Sequence, residues 1–215
     1  MTTAAKNDAS NMQPESYFAR LAPGRRGEIL DAALAVFAEK GYEAGTMREI
    51  ASRVGVTEPA LYRHYSGKEA LYEDVIATAG DFIVSQADSM LGRVRPDNLR
   101  ESLRLLLEER RRTGASVKPI LRTLMLAAPH NPALRETFRA HVAAPMIENL
   151  RRLIPRVDGY FGIRRTPEEL EGKVRAFMSI FVGYFMTSML FADSPPDDAI
   201  ADAMLAVLGW DVPTE

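Results

Sequence analysis

The side chains able to do chemistry are few, and their spacing points away from catalysis. The chain has 215 residues, no cysteine and three histidines, His64, His130 and His141. Without cysteine there is no thiol nucleophile, thiolate ligand or disulfide framework, a composition that fits a cytoplasmic protein. The histidines lack the paired spacing that puts two ligands on one helix face, so no metal site is expected. Glu168, Glu169 and Glu171 stand beside Lys173 and suit a solvated helix start better than paired acid–base carboxylates. No nucleophile elbow, phosphate-cradling glycine loop or zinc pattern occurs, so neither a cofactor nor enzymatic turnover is implied. What remains is Thr46 to Leu71, TMREIASRVGVTEPALYRHYSGKEAL, whose spacing suits two short helices and a turn that could enter the major groove of DNA.

The elements that would position this stretch follow from local rules. Thr46 can accept from the first free N–H groups of a helix, and Glu49 can complete a capping box. Ile50, Ala51 and Val54 give that helix an apolar stripe. Gly55 stops it and Val56 plugs the corner. Thr57 caps the next helix, Pro59 sits in its first turn, and Ala60 to Tyr65 complete it. Two such short helices need a platform. The preceding segment, Arg25 to Lys40, supplies one: Ile29, Leu30, Ala33, Leu34, Val36 and Phe37 recur at helical spacing, and Gly41 ends the run.

Around this unit the chain reads as all-α. Residues 1–23 form a polar arm, disordered at least to Ser16, with Tyr17, Phe18 and Leu21 able to pack on the first domain. Arg20, Arg25 and Arg26 are either phosphate contacts or solvated flanking charge. Residues 24–70 make the helix-turn-helix domain, and residues 71–215 a larger helical domain. A long helix from Lys68, carrying Leu71, Val75, Ile76, Ala79, Phe82 and Ile83, joins the two. Further helices are expected over 99–113, 117–128, 132–153 with a kink at Pro145, 167–191 and 196–208, with 155–166 as a loop. The uncharged run from Ala176 to Ala192 is near the minimum for a membrane span, but its polar residues and the acidic residues after it favour a helix covered on both faces. One face would meet its own domain and the other a second copy, giving a homodimer through the last two helices, with Ile200, Met204, Val207 and Leu208 on the last. The net charge is −2, so any DNA-binding face must be a local patch.

Arg26 through Leu71, with its KGYEAGTMREIASRVGVTEPALYRHYSGKEAL core, closely resembles the DNA-binding domain of the tetracycline-repressor (TetR) family. The resemblance implies a homodimeric regulator, usually a repressor, whose C-terminal domain binds a small effector and thereby releases a double-stranded DNA operator. Carried over by position, it implies that Thr46 and Arg48 hold backbone phosphate. Thr57, Glu58 and Ala60 would face base edges. Tyr62, His64 and Lys68 would contact phosphate, while Arg63 could reach either, and Pro59 and Leu61 shape and anchor the helix. Glu58 departs from the neutral or basic residue often found there. A carboxylate repels phosphate, yet it can accept from a cytosine amino group. The second helix is also charge-poor, with Arg63 its one sure cation.

For an effector pocket the candidates are Met125, Phe138, His141, Met146, Phe177, Phe181 and Tyr184, which suit an apolar or aromatic ligand with Tyr184 or His141 as a polar tether. The same residues could instead fill a core or a dimer seam. Two other readings remain open: an architectural or ligand-independent DNA-binding protein, and a small-molecule-binding helical enzyme.

Overall fold

Capping chemistry sets where each element begins, and burial of one apolar stripe sets where it packs. The computed structural model describes residues 17–109, 111, 120, 130–190 and 196–210, and every regular element among them is helical. The first is α1 (Tyr17–Leu21). The arm is therefore shorter than expected: Phe18 is fully buried in the first core, and its N–H donates to Asp31 at 3.0 Å. Burying one such ring contributes about 1.5–3 kcal/mol, enough to hold a single turn that propensity alone would leave frayed. Residues 1–16 of the arm lie outside the described residues.

α2 (Arg25–Ala44) is broken at Gly41. α3 (Met47–Val54) opens on the capping box: the Thr46 hydroxyl accepts from the Glu49 N–H at 3.3 Å, and the Glu49 carboxylate accepts from the Thr46 N–H at 3.2 Å. Gly55 closes α3 at φ 74°, where a side chain would be strained. Thr57 caps α4 (Glu58–Tyr62), with Pro59 in its first turn. α4 ends short of Tyr65 because its last turn tightens, with the His64 N–H donating to the Leu61 carbonyl at 3.0 Å.

α5 (Lys68–Gly92) has 25 residues, a rod of about 37 Å at the helical rise. Then come α6 (99–109), α7 (Pro132–Phe138), a wide π turn (Arg139–Ala143), α8 (Ala144–Phe161), α9 (Pro167–Leu190) and α10 (Asp197–Leu208). Pro145 explains the wide turn. It has no N–H for the His141 carbonyl, and its ring pushes that carbonyl aside. The distortion sits where α5 passes closest: a Cβ on Gly80 would lie 2.7 Å from Val142 Cγ2 and 3.0 Å from the His141 carbonyl oxygen. Pro155, by contrast, does not end its helix. The sequence pattern suggests a loop over 155–166, but α8 runs on to Phe161. Leu153, Ile154 and Val157 bury one face, while Pro155 lies on the solvent face, where water can serve the freed carbonyl. Of the helix expected over 117–128, the described residues include Ile120 alone.

Two apolar clusters result. The first joins α1 to α4 with the front half of α5, and Ile120 and Leu134 enter it from the larger domain. The second joins the end of α5 with α6, α8, α9, α10 and Trp210. α5 and the α7–α8 unit are the described elements that enter both. Among the described residues no helix is long and apolar enough to cross a membrane.

Candidate nucleic-acid interface

α4 is anchored from beneath and presented outward. Leu61 is fully buried, whereas Thr57, Pro59, Tyr62, Arg63 and His64 are exposed and Glu58 and Ala60 half-buried. Tyr62 is 48% exposed, a cost that packing within this chain does not explain. Between α2 and α5, Phe37, Tyr42 and Tyr72 pack ring on ring at centroid distances of 4.9 to 5.7 Å.

The flanking charges are mostly paired. Arg25 meets Glu28 at 2.6 Å, Arg53 meets Glu39, and Lys40 meets Glu49. Lys40 and the Thr46 hydroxyl hold the Glu49 carboxyl below its ordinary range. Arg48 is 87% exposed, with its Nε 3.5 Å from a Glu58 carboxylate oxygen. Exposed pairs of this kind are worth roughly 0–1 kcal/mol, so a phosphate can take the cation at little cost.

Thr46, Lys68, Tyr65 and Arg26 also have partners inside the chain. The Thr46 hydroxyl serves the capping box. The Lys68 ammonium donates to the Tyr42 and Glu43 carbonyls at 2.8 and 2.9 Å and lies 4.6 Å from the Tyr42 ring centre. That clasp fixes the start of α5 to the end of α2 and leaves one of its three donors for a phosphate. Tyr65 and Arg26 converge on Asp74: the phenol donates at 2.7 Å, and the guanidinium at 2.5 and 3.0 Å. Burial raises the Asp74 carboxyl, but the hydrogen bonds from Arg26 and Tyr65 outweigh it and leave it below the ordinary range; burial and Asp74 push the Tyr65 phenol up. Asp74 thus locks the turn after α4 onto α5. Sequence reasoning missed it, since Arg26 is 48 positions away and no local pattern marks the pair.

The effector candidates do not form one group. Met125 lies outside the described residues. Phe138 packs on the first core, and His141 Nδ1 is 2.8 Å from the Asp81 carboxylate. Met146, Phe177 and Phe181 do come together with Ala87, Leu91 and Leu106, around a gap of about 10 Å³. Tyr184 is buried, with its hydroxyl on Asp197; burial and that carboxylate push the phenol up to about 12.

Comparison with known proteins places this geometry. The family model described as "Bacterial regulatory proteins, tetR family" matches residues 29–75. The chain is 39% identical over 94 residues to the HTH-type transcriptional activator FasR of Mycolicibacterium smegmatis, a match spanning 44% of this chain and 37% of that protein. It is 42% identical over 53 residues to the HTH-type transcriptional repressor KstR2 of Rhodococcus jostii, spanning 25% and 26%. These matches thus cover well under half of the relatives' own length. The solved SmeT–triclosan complex, SmeT being the repressor of a Stenotrophomonas maltophilia multidrug efflux pump, superposes with a TM-score of 0.67 at 20% identity over 85% of this chain and 90% of that one. At that identity the likeness shows the fold: an N-terminal helix-turn-helix domain and a helical C-terminal domain.

Proposed function

We infer that this chain, which belongs to the TetR family of bacterial regulatory proteins, is a cytoplasmic homodimeric repressor released from a near-palindromic operator by a small effector. The observation that carries the reading is the exposed rim of α4, where Tyr62, Arg63 and His64 face outward over a buried Leu61. Residues 24–70 would read DNA. Residues 71–215 would pair two copies and take the effector. KstR2, a relative over the DNA-binding segment, is named a repressor and FasR an activator; the repressor reading is adopted with the first. The stripe expected to pair copies on the last helix, Ile200, Met204, Val207 and Leu208, instead packs into the second core, with Met204 and Leu208 fully buried; dimerisation is therefore assigned to the outward faces of α9, with Gly172, Ser179, Val182 and Gly183, and of α10, with Ala199, Ala203 and Ala206. Small side chains there let helices approach closely, as a two-fold four-helix seam needs. Effector binding would then favour a spacing of the two α4 helices that no longer fits the half-sites.

The test is salt-dependent binding with footprinting on DNA flanking the protein's own coding region. A protected two-fold site of about two helical turns supports the reading. The double variant Arg63→Ala, Tyr62→Ala should bind that site at least about tenfold more weakly. The slope of log K against log salt should flatten by about one unit for each phosphate that the variant no longer neutralises. Full retained affinity would remove α4 from the groove.

A second reading, DNA binding without an effector, rests on the close packing of Met146, Phe177 and Phe181, whose gap of about 10 Å³ holds no more than a water; against it stands a cleft of about 550 Å³ where α5 meets α6, bordered by Met90, Leu105 and Leu106. Thermal unfolding with triclosan or stearic acid separates the two. A ligand at one hundred times its Kd should stabilise the fold by about 2.7 kcal/mol and weaken operator binding. An unmoved transition across such apolar and aromatic probes supports the ligand-independent reading.

A further inference from the structure

The cleft large enough for a small molecule lies away from every residue that the sequence nominated for one. It runs along the seam between the last third of α5 and α6 and measures about 550 Å³, inside the range of natural ligand pockets. Met90, Val94, Leu105 and Leu106 supply its apolar wall, and Leu105 is 49% exposed. Its two ends differ. Arg93, Arg95 and Asn98 stand at the end closed by the turn between the helices. Glu108 and Glu109 stand at the other end, roughly 15 Å further along α6 at the helical rise.

Most charges around the cleft are balanced within the chain. Arg95 meets Asp97 at 2.6 Å, and Arg104 meets Glu101 at 2.7 Å and Glu108 at 3.3 Å. Arg93 is different. Its guanidinium donates to the Ser89 hydroxyl at 3.4 Å and meets no carboxylate among the described residues. A guanidinium with spare donors beside an apolar wall suits a carboxylate with an apolar body. Leu106 belongs to two spaces at once: it borders the cleft, and it borders the small gap enclosed by Met146, Phe177 and Phe181. One leucine side chain therefore separates the open cleft from the apolar interior. Met146 and Met178 beyond it are flexible enough to repack round an intruding chain.

We propose that this cleft binds a linear anionic amphiphile, a medium- or long-chain carboxylate, with its head on Arg93 at the turn end and its tail along Leu105 and past Leu106 toward Phe177. The inference rests on the regulator reading above and gives the effector a place and a chemical class.

The experiment is calorimetric titration of the full-length protein with octanoate, decanoate and dodecanoate, each below its micelle concentration, beside decylamine and decanol, repeated with R93A and R93K. Decanoate should bind at least about tenfold more tightly than decylamine, the size of one charge-assisted hydrogen bond. Each added pair of methylenes should tighten carboxylate binding roughly 15-fold. R93A should erase the preference for decanoate over decanol, and R93K should restore part of it, keeping the charge without the fork. Arg93 is exposed and contributes one long hydrogen bond, so both variants should unfold at the wild-type midpoint. Decanoate and decylamine binding alike, an R93A protein with wild-type decanoate affinity, or no binding of any carboxylate overturns the site and leaves operator reading untouched. Affinity that stays level from octanoate to dodecanoate overturns the passage beyond Leu106. Operator titration with and without decanoate separates the site from its role: Arg93-dependent binding that leaves operator affinity unchanged upholds the site and overturns the effector reading.

Discussion

Asp158→Ala should destabilise this fold by about 3–5 kcal/mol, the usual consequence of removing one partner from a buried ion pair. Asp158 and Arg165 are 6% and 11% exposed, and the guanidinium donates to both carboxylate oxygens, at 2.7 and 2.9 Å. The indole N–H of Trp210, itself 1% exposed, donates to the same carboxylate at 2.8 Å. Arg165 also serves the Leu208 carbonyl, and Lys173 donates to the Val207 carbonyl at 2.6 Å. The cluster therefore joins the end of α8, the approach to α9 and the C-terminus of α10, whose last carbonyls carry the negative end of the helix dipole. Truncating Asp158 strands a buried guanidinium and an indole N–H at once. Against a total of about 5–15 kcal/mol for a domain, that is a large share. The internal control is Arg100, which meets Asp202 at the same 2.7 Å but with 45% and 52% exposure. Arg100→Ala should cost under about 1 kcal/mol, because water and salt screen that pair. Urea unfolding followed by tryptophan fluorescence reads both, since Trp210 is the chain's single tryptophan. Equal midpoints for the two variants at one protein concentration would show that burial adds nothing to the Asp158 pair.

This cluster also marks where sequence reasoning runs out. Helix ends governed by neighbours in sequence were legible: the Thr46 and Thr57 caps, and the stops at Gly55 and Gly209, all appear at the expected positions. Their chemistry acts within four residues. Asp158 could not be read, because its partners at Arg165 and Trp210 depend on how α10 returns to α8. The same holds for Asp74, whose partner Arg26 lies on another helix. Pro155 misled for the opposite reason. Its local rule is strong, but three buried neighbours outweigh it once α8 packs. The effector candidates scattered because bulky residues at helical spacing do not reveal which of two cores a face will join. α4 was legible as an element from its caps; the roles expected of its side chains come from family resemblance, and the pairing of Glu58 with Arg48 from the fold alone.

The seam assigned to α9 and α10 carries the other large expected effect. Gly183→Arg should leave the single subunit folded, abolish its self-association and weaken operator binding about 100-fold or more. Gly183 is exposed on α9, and a Cβ built there meets no atom within 4 Å, so the folded subunit has room for a side chain. Val182 beside it is 47% exposed, an apolar surface left open among the described residues. In a two-fold interface one substitution enters twice, so two arginines would meet near the symmetry axis at a distance where like charges repel and close helix approach fails. The loss in DNA affinity follows from linkage. Joining two half-site readers raises overall affinity by about 10² to 10⁴ through effective concentration, without any new contact to DNA, and a monomer forfeits that factor. Gly183→Ala is the matching control: one methyl group is compatible with a small-residue seam and should leave association and binding near wild type. Sedimentation equilibrium and operator titration together decide it. A Gly183→Arg protein that remains dimeric and binds its operator fully would move the seam off this face of α9. A monomer with undiminished affinity would show that one copy of α4 suffices, and the two-fold operator would have to be abandoned.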